Sequence, residues 1–238
     1  MRIDKLLSQL KYGSRKKIAE LISQNRIKVN GKTINKKDMD VNPNIDEIYV
    51  DNEKVFYQKY VYLAFNKPKG FLSANKDDLH PVLFSFIKEP YNRFDLKVCG
   101  RLDLDSEGLM ILTNDGSFIH MITHPKTHLP KKYEVKLNRE VCMNEVNQLL
   151  QGVFIKDGKN ETYLAKALKL KCNKDTCYIT IDEGKFHQVK RMFAFVNYDV
   201  IKLKRVQIGP LLLGDLKPGE HKVIGRELFY DGNYVDGV

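Results

Sequence analysis

Between residues 100 and 109 the chain reads Gly100-Arg101-Leu102-Asp103-Leu104-Asp105-Ser106-Glu107-Gly108-Leu109, and from Leu109 to Leu112 it is wholly apolar. Three carboxylates and an arginine therefore abut a core segment. Charge is costly to bury unless it is paired or used, so this junction reads as a chemically employed loop running into a buried strand. The 238 residues suffice for one large domain or two small ones.

Net charge selects the partner. Forty Lys and Arg against thirty Asp and Glu leave +10, a balance that favours phosphate-bearing ligands, with ribosomal or transfer RNA ahead of DNA. The first residues, Met1-Arg2-Ile3-Asp4-Lys5, lack an apolar signal core, and no run approaches the ~20 apolar residues of a membrane span. A cytoplasmic protein is expected. Cys99, Cys142, Cys172 and Cys177 show no framework spacing and are expected as reduced thiols.

The charge is uneven, which marks a module. Residues 2 to 37 carry eleven Lys and Arg against two acids, whereas residues 38 to 60 carry two Lys against six acids. Leu6, Leu7 and Leu10 follow helical spacing; Ser14 suits the N-cap of a second helix whose Ile18, Leu21 and Ile22 face the same core. Ile27-Lys28-Val29 alternates as a strand, Asn30-Gly31 is a tight-turn signal, and Ile48 and Val50 supply a partner strand. Lys5, Arg15, Lys16, Lys17, Arg26 and Lys28 can gather around the second helix, where RNA phosphate would dock.

After a linker at residues 51 to 60, Val61 to Phe65 reads as a buried strand that ends at Asn66-Lys67-Pro68-Lys69-Gly70. Strands at Lys132 to Leu137 and Cys177 to Ile181 mix with helices at Asn144 to Gln151 and Phe186 to Val196 without strict alternation. An α+β domain follows. The expected domains are residues 1 to 59 (with the linker) and 60 to 238.

Three motifs fail. Asp103-x-Asp105-x-Glu107-Gly108 opens like a calcium loop, but its twelfth position is Asn114 and its later positions are apolar. His120, His124 and His128 have ligand spacing, but Pro125 breaks the helix and no acid sits between the first two. Gly152 to Gly158-Lys159 is one residue too long for a phosphate loop. No metal is expected.

Gly100-Arg101-Leu102-Asp103, Ser106-Glu107-Gly108-Leu109 and Leu112-Thr113-Asn114-Asp115-Gly116 together resemble the signature of the RsuA/RluB/RluE/RluF family of pseudouridine synthases. Asn66-Lys67-Pro68-x-Gly70, Lys132-x-x-x-Lys136 around Tyr133, Glu183 to Met192, Ile208-Gly209 and Leu216-x-x-Gly219 follow in the family's order. The first fifty residues are similar to the S4 RNA-binding domain, through Arg2 to Leu7, Gly13-Ser14-Arg15, Ala19 to Ile22 and Arg26 to Gly31.

The resemblance implies an S4 (αL-type) domain followed by a catalytic domain with a mainly antiparallel mixed sheet flanked by helices. It implies isomerisation of uridine to pseudouridine in ribosomal RNA, a reaction that needs no cofactor; the sequence leaves oligomeric state open, with a monomer the simplest expectation. Asp103 would be the catalytic carboxylate, Lys190 the cation beside it, and Tyr133 the aromatic that stacks on the target base. Arg101 would fill the gap left by the displaced nucleotide or order the loop. Arg191, about 100° from Lys190 on a helix, would hold phosphate or the loop.

Asp105 and Glu107 read as loop-shaping or helix-start acids. Asp78-Leu79-His80-Pro81-Val82 and His124 to Tyr133 look more like members acting on 16S than on 23S RNA, although the family often places Thr between His-Pro and Val. A rival from another class is a non-catalytic RNA-binding or ribosome-assembly protein of the same fold.

Overall fold

A computed structural model describes residues 1–124 and 127–230. The chain divides into two compact units, Met1–Val61 with Ile87–Leu96, and Tyr62–Phe86 with the described residues from Lys97 onward.

In the front unit α1 (Ile3–Gln9) and α2 (Arg15–Ser23) bury Ile3, Leu6 and Leu7 with Ile18, Leu21 and Ile22. The Ser14 hydroxyl caps α2 by accepting from the Lys17 amide at 3.2 Å. Strand β1 (Ile27–Val29) turns into β2 (Lys32–Thr33) through Asn30 and Gly31, at φ 50° and 76°. That left-handed pair is what a two-residue hairpin demands. Strands β3 (Ile48–Val50) and β4 (Glu53–Lys54) complete a four-stranded sheet in the order β2-β1-β3-β4.

Residues 51 to 60 are thus more than a linker: they carry β4 and the buried Val55. The return segment Ile87–Leu96 belongs here as well, which the sequence reading does not contain. Phe56 packs edge-on to Tyr91 and Phe94 at 5.8 and 5.9 Å. The Lys11 ammonium donates to the Asn92 and Phe94 carbonyls, and Arg93 stacks 4.1 Å over Tyr12.

The second unit is built on a nine-stranded sheet among the described residues. Along the chain come β5 (Tyr62–Lys67), β6 (Lys97–Val98), β7 (Glu107–Thr113), α3 (Gly116–Thr123) and β8 (Lys131–Leu137). Two short helices follow, α4 (Met143–Val146) and α5 (Gln148–Gln151), where a single helix was expected. Then come the hairpin β9 (Val153–Lys156) and β10 (Thr162–Ala165), β11 (Lys169–Asn173) and β12 (Thr176–Ile181). Helix α6 (Gln188–Phe195), β13 (Val200–Ile208), β14 (Leu211–Leu212) and β15 (His221–Val223) end the unit.

The main order is β11-β12-β8-β13-β7-β5-β15, with β6 beside β7 and β14 beside β13. Among the described strands of this sheet β7 and β13 pair in parallel and the other pairs are antiparallel. Every residue of β5, and β7 from Gly108 on, is buried, which explains their unbroken apolar reading as central strands covered on both faces. Helix α3 covers β7 through Phe118 and Ile122. Its N-cap, Asp115, accepts from the Ser117 and Phe118 amides and from the Tyr62 hydroxyl, and pairs with Arg226 at 3.2 Å.

Two expectations are corrected. Cys172 and Cys177 stand opposite each other in the β11–β12 register and form a disulfide, because the hairpin brings side by side what five residues of sequence separate. Cys99 and Cys142 are free. Glu107 opens a strand, not a helix, and pairs with Lys202 at 2.9 Å. No helix of the described residues is long and apolar enough to cross a membrane.

Candidate active site

One register row crosses five strands: Ile179 lies opposite Tyr133, Tyr133 opposite Arg205, Arg205 opposite Gly108, and Gly108 opposite Lys67. Residues directly opposite share a face of the sheet. Tyr133, Arg205 and Lys67 therefore form a line of one aromatic ring and two cations, interrupted by a residue without a side chain. A Cβ on Gly108 would lie 2.2 Å from the Arg205 carbonyl oxygen, and Gly108 has φ 110°. Only glycine lets β7 approach β13 this closely.

The charged loop ahead of β7 is fastened over this row. Lys67 is fully buried, and its ammonium donates to the carbonyls of Pro68, Asp103 and Ser106 at 3.2, 3.0 and 2.7 Å. Burial pushes the Lys67 pKa down to about 8 against the pull of Asp103, Asp105 and Glu107. The Ser73 hydroxyl donates to the Leu102 carbonyl and accepts from its amide, and the Gly70 amide donates to Leu104. Asn66 in turn donates to the Leu216 carbonyl at 2.7 Å, and the Gly219 amide donates back to Asn66. The Asn66-Lys67-Pro68-x-Gly70 and Leu216-x-x-Gly219 blocks are thus one clamp under the loop.

Asp103 projects from the loop with 30% of its side chain exposed. Lys190, from α6, reaches it at 3.4 Å, and the His187 Nε2 lies 3.5 Å away on the other oxygen. Lys190 sits closer to Asp105, at 2.6 and 2.8 Å. The expected single pair is therefore a shared cation, because the loop turn presents both carboxylates to one ammonium. Burial works to raise Asp105, but the Lys190 hydrogen bond and charge outweigh it and hold that carboxyl below the ordinary value.

Asp103 and His187 line a cleft of about 430 Å³ together with Arg101, Tyr133, Lys131 and Arg205. Tyr133 is buried and Arg101 exposed, both on the cleft wall. Arg191 turns elsewhere, donating to the Lys156 carbonyl and standing 5.2 Å over the Phe186 ring; it does not hold the loop.

Sequence reasoning missed Lys131, His187, Arg205 and the role of Lys67. Lys131 is two residues before Tyr133 and so shares its face; its ammonium donates to Leu129 at 2.7 Å, and burial and Arg205 push its pKa down to about 8. Arg205, 3% exposed, donates to the Leu109 carbonyl at 2.7 Å. A charged residue at the inward period of Leu203-x-Arg205 is the signal that could have found it.

In the front unit Lys5, Arg15 and Lys16 are exposed. Arg26 and Lys28 are engaged within the chain, Arg26 by both Asp51 oxygens at 2.5 and 2.7 Å and Lys28 by Asn52. Lys17 pairs with Glu20.

Residues 61–195 match the family profile described as RNA pseudouridylate synthase, which is more than half of the chain. The chain belongs to the RNA pseudouridylate synthase family. Residues 1–44 of this synthase match the S4 domain. It is 38% identical over 231 residues to an uncharacterized RNA pseudouridine synthase of Bacillus subtilis, covering 95% of this chain and 96% of that one. It is 36% identical over 229 residues to ribosomal small subunit pseudouridine synthase A of Escherichia coli, with 95% and 97% covered. A crystal structure of pseudouridylate synthase superposes with TM-score 0.64 at 33% identity, covering 95% and 97% of the two chains. The protein is an RNA pseudouridine synthase, an isomerase with an S4 domain.

Proposed function

We propose that this enzyme isomerises a specific uridine in 16S ribosomal RNA, in the cytoplasm, with Asp103 as its catalytic carboxylate. The observation that carries the chemistry is the meeting of Lys190 and His187 on Asp103, in a cleft that Asp103 and His187 line with Tyr133 and Arg205. Isomerisation breaks the bond between N1 of the base and C1′ of ribose, turns the base, and rejoins C1′ to C5, from which a proton leaves. Neither redox change nor external energy is required.

An ionised carboxylate beside C1′ can attack the sugar or the base, or remove a sugar proton. Lys190 favours that ionised form. Tyr133 offers a ring on which the base stacks, and Arg101 the side chain that occupies the vacated stack. Extruding the uridine costs a few kcal/mol, least in loop or single-stranded RNA. Phosphate contacts of the exposed Lys5, Arg15 and Lys16 offset that cost.

The 16S assignment is supported by the Escherichia coli small-subunit relative and by Asp78 to Val82 and the His124 to Tyr133 segment, of which residues 125 and 126 lie outside the described residues. A 23S target is the second reading, favoured by a large subunit pseudouridine synthase B of Bacillus subtilis at 36% identity over 222 residues. Nucleotide-resolution pseudouridine mapping in both rRNAs of a deletion strain decides between them. Loss of a 23S site with intact 16S sites would sink the preferred reading. For the carboxylate, Asp103→Asn is expected to stop tritium release from 5-labelled uridine in RNA while RNA affinity changes little. Continued release by that variant would remove Asp103 from the chemistry.

A further inference from the structure

His187 precedes α6 in the left-handed conformation, φ 51° and ψ 27°, a backbone state uncommon outside glycine in which histidine is one of the better-tolerated side chains. Its imidazole is fixed there between two neighbours. One is Asp103, at 3.5 Å. The other is the Phe186 ring, stacked at 3.8 Å between centroids with planes 19° apart.

Phe186 is 50% exposed, yet it lines the same cleft as Asp103. Its position is built rather than incidental. The β9–β10 hairpin supports it through Gly158, where a Cβ would stand 3.2 Å from the Phe186 Cβ and 3.3 Å from its Cγ. The hairpin itself is held by Arg191, which donates to the Lys156 carbonyl, and by Lys185, whose ammonium lies 3.5 Å over the Tyr163 ring. The Arg191 guanidinium stands 5.2 Å from the Phe186 centroid. An exposed aromatic ring beside fixed cations is the arrangement that single-stranded nucleic acid uses, the base covering the ring and the phosphate meeting the cation.

We infer that Phe186, backed by His187, is a stacking subsite for the nucleobase immediately next to the target uridine, with Arg191 meeting the adjoining phosphate. The inference rests on the RNA isomerase reading and extends it to a neighbouring nucleotide. The order is then neighbouring base, Phe186, His187 and Asp103, so that stacking sets the register in which the target uridine reaches the carboxylate. A stack tolerates any base, so the subsite recognises the presence of a base and not its edge.

The test couples the ring to the base. The substrates are rRNA fragments carrying the mapped target uridine, intact or with an abasic nucleotide on its 5′ or 3′ side. Tritium release is measured with wild type, F186A, F186L and F186Y, each first shown to be folded by its circular dichroism melt.

On intact RNA, F186A and F186L are expected to lose about tenfold to a hundredfold in kcat/KM, the scale of one base–aromatic stack, while F186Y stays within about twofold. On one of the two abasic RNAs wild type loses as much, and F186A loses nothing further. F186L keeps apolar bulk, so it separates stacking from packing.

A folded F186A or F186L within twofold of wild type would overturn the subsite. So would an abasic penalty that persists undiminished in F186A. A wild type that releases no tritium from any ribosomal fragment would overturn the function itself, and the subsite with it.

Discussion

Lys190 divides one ammonium between two carboxylates, 2.6 Å from Asp105 and 3.4 Å from Asp103. Lys190→Gln is expected to lower kcat by one to two orders of magnitude with a small change in RNA affinity, since the lost cation acts on the loop and not on phosphate. Asp105→Asn releases Lys190 to Asp103 and is expected to cost less. Single-turnover rates and Kd on the same RNA separate the outcomes; a larger loss for the Asp105 variant would reverse the roles of the two acids.

Gly108→Ala is expected to destabilise the protein by more than ~3 kcal/mol, because the new methyl group meets backbone that cannot move without parting β7 from β13. Thermal melts monitored by circular dichroism read this directly. A melting temperature within a few degrees of wild type would show that the parallel pair has slack.

Lys67 links stability to pH. Its pKa near 8 lies below the ordinary lysine value, so the folded chain binds fewer protons than the unfolded one between about pH 8 and about 10.4. Stability due to this group therefore rises with pH across that window and levels off above it. Denaturant unfolding of wild type against Lys67→Met should give a difference that varies over this range; a constant difference would mean an unshifted lysine.

Asp115 is almost fully buried and serves two amides, a tyrosine hydroxyl and an arginine at once. Asp115→Ala strands all of them and is expected to cost about 3 kcal/mol. Asp115→Asn keeps the cap and should cost less. Urea midpoints of the pair rank the cap against the charge.

The exposed cations of α2 should govern salt sensitivity. Replacing Arg15 and Lys16 together by Gln is expected to reduce the slope of log affinity against log salt by about 1.5. Arg26→Gln should change it less, since Asp51 already neutralises that side chain. Equal effects of all three would place Arg26 on phosphate in the complex.

The sequence disclosed what depends on local pattern. Ser14, Asn30-Gly31 and the apolar Leu109 to Leu112 run each state their structure within a few residues, and the motif blocks name Asp103, Tyr133 and Lys190. What stayed hidden depends on register. Arg205 reaches Tyr133 and Gly108 only because β13 lies between β8 and β7, and nothing within β13 announces its neighbours. The Cys172–Cys177 bond is hidden in the same way, by a hairpin pairing. Lys190 was found through its motif, but its second partner is an acid whose direction only the folded loop supplies.

The segment Ile87–Leu96 belongs to the front unit, where Phe94 packs on Phe56, and its Ile87, Phe94 and Leu96 are buried, though it is spelled inside the catalytic sequence. The polypeptide thus passes between the two units three times. A gene fragment cut after residue 59 would encode a catalytic half bearing a greasy orphan loop and leave the basic half short of part of its own interior. Shuffling one RNA-binding module for another by recombination at the linker would inherit the same mismatch. A working exchange must transplant residues 87 to 96 along with the N-terminus.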